Sequence, residues 1–277
     1  MKERLRKIRH VALDMDGTIY SGGTLFEFTT PFLGLLRELG IGHTFLTNNS
    51  SKSVKDYIIR LRSIGIEAGP EQLYTSTLAT IEHLQEKMGF VKRLFVLGTP
   101  SLREEFLEAG FQLTRESPDD EPDAVIAGFD TGLEFARLCR AAYWIQKGKP
   151  FIATHPDLIC PTDQPTVLVD CGSLCAALEK ATGRRPDIIL GKPDPCMIRG
   201  ILHRHRLAPE NLAMVGDRLY TDMEMAHRAG AFGVLVLTGE ATAAAAAAHS
   251  PPPDLIVSGL AELGEKLRAA RSQEVPR

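Results

Sequence analysis

Two aspartates, Asp14 and Asp16, stand directly after the apolar run Val11, Ala12, Leu13, and Gly17 and Thr18 follow them. Side chains at i and i+2 of an extended segment point the same way. Two carboxylates facing one pocket are costly without a cation or a shared proton. Either such a pocket exists, or the pair is the polar end of a strand entering a turn, where Asp is a common turn former.

Three further stretches carry residues of the same kind. "FLTNNSS" ends an apolar run on Thr47 and leads into a helix that Ser51 or Ser53 caps. A hydroxyl and main-chain N–H groups at such a junction hold a phosphate. "LGKPDP" places Lys192 behind the run "DIIL", with Pro193 and Pro195 pinning the loop. A lysine there neutralises a phosphate or a carboxylate. "MVGDRLYTD" places Asp217 behind another apolar run, with Asp222 soon after it as a cap or opening residue of the next helix. Taken singly, each stretch reads equally well as a capped turn, a surface lysine or a helix cap. If the four edges converge, four carboxylates meet one lysine. A hard divalent cation, Mg²⁺, is then the natural counter-ion.

The elements that must position these residues alternate along the chain. "HTFLTNN", "KRLFVLG", "DAVIAGF", "KPFIATH", "DIILGK", "NLAMVGD", "FGVLVLTG" and "DLIVSG" read as short buried strands. "SVKDYIIRLRSIG", with Val54, Tyr57, Ile58, Leu61 and Ile64 on one stripe, reads as a helix, as do "SLREEFLEAG" and "EFARLCRAAYWIQKG". Strand–helix alternation predicts parallel βαβ units, an α/β fold with a Rossmann-like parallel sheet. In such sheets ligands bind at the carboxyl edge, where all four stretches lie. "ATAAAAAAH" reads as a short surface helix, "SPPPD" as a rigid connector, and the tail "RSQEVPR" as disordered. No dinucleotide fingerprint or Walker loop is present: "LGKPD" has Pro193 where the latter needs Ser or Thr.

Composition narrows the classes. Of 277 residues 44% are apolar and 24% charged, and the net charge is −3. That is the balance of a globular protein large enough for a real core. No basic stripe suggests nucleic acid, and no apolar run approaches the roughly 20 residues of a membrane span. "MKERLRKIRH" is basic without the apolar segment of a secretory signal, and is expected to be a solvated lead-in. Five cysteines (139, 160, 171, 175, 196) follow no metal-finger spacing, and reduced thiols in the cytoplasm are the simplest account.

Taken in order, Asp-Met-Asp-Gly-Thr, Thr47, Lys192 and Gly-Asp-x4-Asp resemble the haloacid dehalogenase (HAD) superfamily of phosphohydrolases. "TNNSS", "LGKPDP", "MVGDRLYTD" and "VLTGE" resemble its NagD-like branch, which includes p-nitrophenylphosphatases and pyridoxal phosphate phosphatases. The likeness spans roughly residues 8 to 260. It implies that Asp14 attacks phosphorus to give an aspartyl-phosphate, and that Asp16 protonates the leaving oxygen and then deprotonates water. It gives Thr47, with Asn48 beside it, and Lys192 to the phosphoryl group. Asp217 then ligates Mg²⁺ with the Asp14 carboxylate and the Asp16 carbonyl, and Asp222 stands behind them. Asp at position 16 separates the chain from transporting ATPases, which carry Thr there, and from dehalogenases, which lack the acid. A phosphatase of small metabolites (nucleotide monophosphates, sugar phosphates or pyridoxal phosphate) is the leading reading. A phosphotransferase or phosphomutase, or a non-catalytic regulator with this fold, is the alternative.

About 145 residues separate Thr47 from Lys192, and one or two βα units use only some 35 to 40 of them. The remainder is too long for a loop. Residues 80–186 are therefore expected to form an inserted α/β cap of the kind this branch carries, with 1–79 and 187–277 as the catalytic core. The resemblance gives the cap the choice of substrate, and the branch often dimerises through it. "FIATHPDLICP" resembles a family segment that usually reads Ala-Thr-Asn-x-Asp, with His155 in place of Asn. Thr154, His155 and Asp157 are expected to face the substrate, or His155 is a loop residue without a role. In "VDCGSLCAAL", Gly172 and Ser173 are expected to open a helix.

Overall fold

The computed structural model describes residues 1–162 and 165–272. The chain divides into two compact units, one of residues 1–46, 58–74 and 193–277, the other of 47–57 and 75–192.

The first unit is built on a six-stranded sheet. Its strands run in the order Leu255–Val257, Phe232–Val236, Leu212–Gly216, His10–Asp14, Gly42–Thr47, Leu73–Thr75. His10–Asp14 is buried along its whole length, as a strand covered on both faces must be, and it pairs in parallel with both neighbours. Its register sets Leu13 against Val215 and Asp14 against Leu46. The carboxyl ends of the strands therefore come level at one edge. Between Asp14 and the helix Thr29–Glu38 the chain makes a small hairpin, Tyr20–Ser21 with Thr24–Leu25.

The first residues are not a solvated lead-in. Lys2–Lys7 is helical and packs on the helix Leu260–Arg271. Leu5 and Ile8, one turn apart, are buried while the charged residues stay outside. Of the expected disordered tail, Arg271 belongs to that last helix and Ser272 follows it; residues 273–277 lie outside the described residues.

The second unit carries a five-stranded parallel sheet in the order Ile188–Ile189, Phe151–Ala153, Ala124–Ala127, Arg93–Leu97, Gln112–Leu113. Phe95, Leu97, Val125 and Ala127 pack against Ala141, Trp144 and Ile145 of the helix Phe135–Gln146, and Leu178 of the helix Cys171–Thr182 closes the same core. The expected cap, residues 80–186, lies inside this unit; residue 80 is within the helix Ser76–Lys87, and 186 precedes Ile188–Ile189, which pairs with Phe151–Ala153. A two-stranded antiparallel hairpin, Ile159–Pro161 with Val167–Val169, was not foreseen. Both units are parallel sheets flanked by helices, the α/β architecture of a Rossmann-like core with a cap.

Candidate active site

The first unit gathers its acids at one edge. Asp14 ends a central strand, and Gly216 ends the neighbouring strand with Asp217 directly after it. Asp14, Asp217 and Asp222 are all buried, and each offers a carboxylate oxygen within 4.8 Å of the others. Asp222 reaches the group by an unexpected route. Leu219–Met223 is a π-helical turn, a form that recurs at functional sites, and the α-helix starts only at Glu224. The Asp222 carboxylate accepts the Arg218 N–H at 3.1 Å. Its carboxylate is thus one of the group of three.

Main-chain approach here depends on missing side chains. Gly17 has φ +83°, and a Cβ there would lie 2.5 Å from Asp217 Oδ2; one on Gly239 would lie 2.0 Å from the same atom. Asp217 Oδ2 accepts the Glu240 N–H at 2.7 Å, and Asp14 Oδ2 accepts the Thr18 hydroxyl at 3.4 Å. Three buried carboxylates this close repel one another, and an all-oxygen donor set of this kind suits a hard divalent cation. The residues present therefore fit Mg²⁺.

Asp16 stands apart from that group. It keeps an exposed surface, and its carboxylate accepts the Tyr20 hydroxyl at 3.3 Å. Loss of hydration in the crowded loop, then the Asp14 charge, raise its pKa above the ordinary carboxylate value, while Arg60, Tyr20 and Arg218 pull the other way. An acid that retains its proton more readily suits proton donation. Arg218 was missed in the sequence. Its guanidinium lies within the fields of Asp14 and Asp217, and its Nε is 3.1 Å from Glu240. The signal was its place directly after Asp217.

The second unit gathers the other expected residues. Thr47 is buried and its hydroxyl accepts the Asn49 N–H at 3.2 Å. Ser53, not Ser51, caps the following helix: its hydroxyl accepts the Asp56 N–H at 3.1 Å and the Asp56 carboxylate accepts the Ser53 N–H at 2.8 Å, a capping box. Asn48 clasps the lysine loop: the Lys192 N–H donates to Asn48 Oδ1 at 2.7 Å, and Asn48 Nδ2 donates to the Lys192 carbonyl at 3.0 Å. The same Nδ2 lies 3.1 and 3.2 Å from the two Asp157 oxygens. Gly191, with φ +71°, permits this clasp, since a Cβ there would meet Asn48 Oδ1 and His155 Cβ at 2.7 Å.

Thr154 and His155 have no exposed surface. The Thr154 hydroxyl pairs with Ser50 at 3.0 Å, and His155 lies between Asp157 and Asp170. Their side chains are thus committed inside the unit. The helix after them opens at Cys171, capped by Asp170, with Gly172 and Ser173 in its first turn as expected. Asp170 had no role in the sequence reading, although an Asp before a helix start is a recognisable cap.

Comparison with known proteins identifies the family of the chain. A model described as haloacid dehalogenase-like hydrolase matches residues 11–112, and a second, HAD-hydrolase-like, matches 189–263. The chain is 34% identical to the ribonucleotide monophosphatase NagD of Escherichia coli, over 84% of this chain and 88% of that protein. The crystal structure of a 4-nitrophenylphosphatase from Thermotoga maritima superposes with a TM-score of 0.89 at 40% identity, covering 95% of this chain and 98% of the other. A glycerol phosphate phosphatase from Mycobacterium tuberculosis, solved with magnesium, gives 0.86 at 29% identity, covering 95% and 77%. These matches define a haloacid dehalogenase-type phosphatase. Within that class, the chain belongs to the NagD-like family.

Proposed function

We propose that the chain is a Mg²⁺-dependent phosphomonoester hydrolase of small phosphorylated metabolites, acting through an aspartyl-phosphate. The observation that carries this reading is the group of three buried carboxylates, Asp14, Asp217 and Asp222, at the carboxyl edge of the first sheet. Relatives named for ribonucleotide monophosphates, 4-nitrophenyl phosphate and glycerol phosphate support a small monoester as substrate.

Asp14 Oδ attacks phosphorus, the bond to the leaving oxygen breaks, and Asp16 gives that oxygen its proton. Asp16 then takes a proton from water as the water oxygen attacks phosphorus. The bond from phosphorus to Asp14 breaks, and inorganic phosphate leaves. Thr47 and Lys192 are assigned to the phosphoryl oxygens by donor type and charge. Asp14, Asp217, Asp222 and the Asp16 carbonyl would hold Mg²⁺. When bound, the ion neutralises charge on these acids and on the phosphoryl group. Asn48 and Asp157 place the Lys192 loop.

The unit containing residues 80–186 is proposed to choose the leaving group. Its exposed hairpin, with Ile159, Val167 and Val169 each more than half or about half exposed, supports a homodimer through that unit. The balanced charge gives no support to a nucleic-acid partner. Among the described residues no helix is long and apolar enough to cross a membrane. All five cysteines are free, which supports a reducing compartment such as the cytoplasm.

The test is p-nitrophenyl phosphate hydrolysis with Mg²⁺ and with EDTA, for the wild type and Asp14→Asn. Hydrolysis should need the metal and vanish with the substitution, together with any acid-stable ³²P on the enzyme. Full activity in EDTA, or in Asp14→Asn with deamidation excluded, would sink the mechanism.

A further inference from the structure

His155 is fully buried, and neither ring nitrogen has a hydrogen-bond partner. Such a histidine is costly unless the site itself favours it. Two carboxylates flank the ring on different sides. Nδ1 is 3.6 Å from Asp157 Oδ2, and Nε2 is 3.5 Å from Asp170 Oδ1. Asp170 is fixed by the Cys171 N–H at 2.6 Å, and Asp157 by Asn48. These three residues also meet the spacing of a metal site. The shortest approaches, however, pair each ring nitrogen with a different acid, the arrangement expected of an imidazolium with two N–H groups.

We infer that His155 is a positioning residue, held as an imidazolium between Asp157 and Asp170, which keeps Asp157 on Asn48 and through Asn48 fixes the backbone of Lys192. The inference rests on the reading of Lys192 as a phosphoryl-binding residue. The titratable groups that act on the ring are Cys171, Asp157 and Asp170. Burial favours the neutral form, but the Cys171 sulfur and the carboxylates of Asp157 and Asp170 outweigh it and push the imidazole up to about 9. Asp157 in turn is held below the ordinary carboxylate value: burial opposes this, but His155, Asn48 and the charge of Lys192 prevail. The Cys175 thiol hydrogen-bonds the Cys171 sulfur. The stabilisation is complete below the free imidazole's range, about 6.5, and is lost as pH rises through about 9.

The test has two arms on the full-length protein. ¹⁵N-histidine NMR of the wild type should give His155 ring shifts of an imidazolium at pH 7.5. His155→Gln and Asp157→Asn should each lower kcat/KM for p-nitrophenyl phosphate by about ten-fold, and the double variant should lose no more than the worse single one, because the two act as one unit. The same non-additivity should appear in denaturant midpoints. A neutral ring at pH 7.5 would overturn the inference. So would multiplicative losses in the cycle, or a stoichiometric metal ion in the purified wild type that His155→Gln removes. The NMR and denaturation arms read the network whether or not the ester is hydrolysed. Failure of the phosphatase reading is thereby distinguished from failure of this one.

Discussion

Asn48 and Lys192 exchange two hydrogen bonds across 144 positions of sequence, at 2.7 and 3.0 Å. One amide side chain thus satisfies both main-chain groups of the lysine proposed to bind the phosphoryl group. Asn48→Ala removes both partners at once from a buried backbone. A buried polar group left without a partner costs about 1–3 kcal/mol. Denaturant unfolding should show a loss of that order, and KM for a phosphomonoester should rise more than kcat falls. A variant of unchanged stability would mean that the lysine loop is held by other contacts.

Gly17 tests the acid edge. Its φ of +83° and the 2.5 Å approach to Asp217 leave no room for a methyl group. Gly17→Ala should push Asp217 from its place and raise the Mg²⁺ concentration for half-maximal activity by ten-fold or so, about 1.4 kcal/mol. An unaltered metal requirement would detach Asp217 from the ion.

Glu105 gives a pH dependence in the second unit. Its carboxylate accepts the Val54 N–H at 2.7 Å, yet burial, with Asp56 and Glu108 nearby, pushes its pKa up to about 7. A pKa above the unfolded value of 4.5 means that the group contributes most below that value, and that the contribution is lost as pH rises through 7. Glu105→Gln can keep the hydrogen bond without the charge. It should be more stable than the wild type at pH 8, by up to about 3 kcal/mol, with the gap closing toward pH 4. A gap independent of pH would place the titration elsewhere.

Legibility in the sequence followed physical scale. The strand ends carrying Asp14, Thr47, Lys192 and Asp217 were readable because apolar runs stop abruptly at them. Asp222 was visible as an acid, but its membership of the carboxylate group depends on a π turn that no local pattern in "RLYTDM" announces. The helix Lys2–Lys7 was hidden because a short, charged segment offers only Leu5 and Ile8 as its apolar pattern. The burial of His155 was equally hidden. "ATHPDL" looks like a polar loop, and only the long-range packing of Asp170, Asp157 and Asn48 makes it an interior. The hairpin strands went unread since each is three residues long.

That hairpin bears on assembly. Its register sets Ile159 against Val169 and Pro161 against Val167, which puts Ile159, Val167 and Val169 on one face. These three side chains are 50%, 54% and 59% exposed, an arrangement that costs solubility unless another surface covers it. A second copy of the chain is the proposed cover. Light scattering after size exclusion should then give the dimer mass for the wild type and the monomer mass for Val169→Lys, which places a charge at the centre of the apolar face. Hydrolysis of p-nitrophenyl phosphate should change little, because the substitution lies on neither the carboxylate edge nor the Lys192 loop. A monomeric wild type, or a Val169→Lys variant that still elutes as a dimer, would remove this hairpin as the interface.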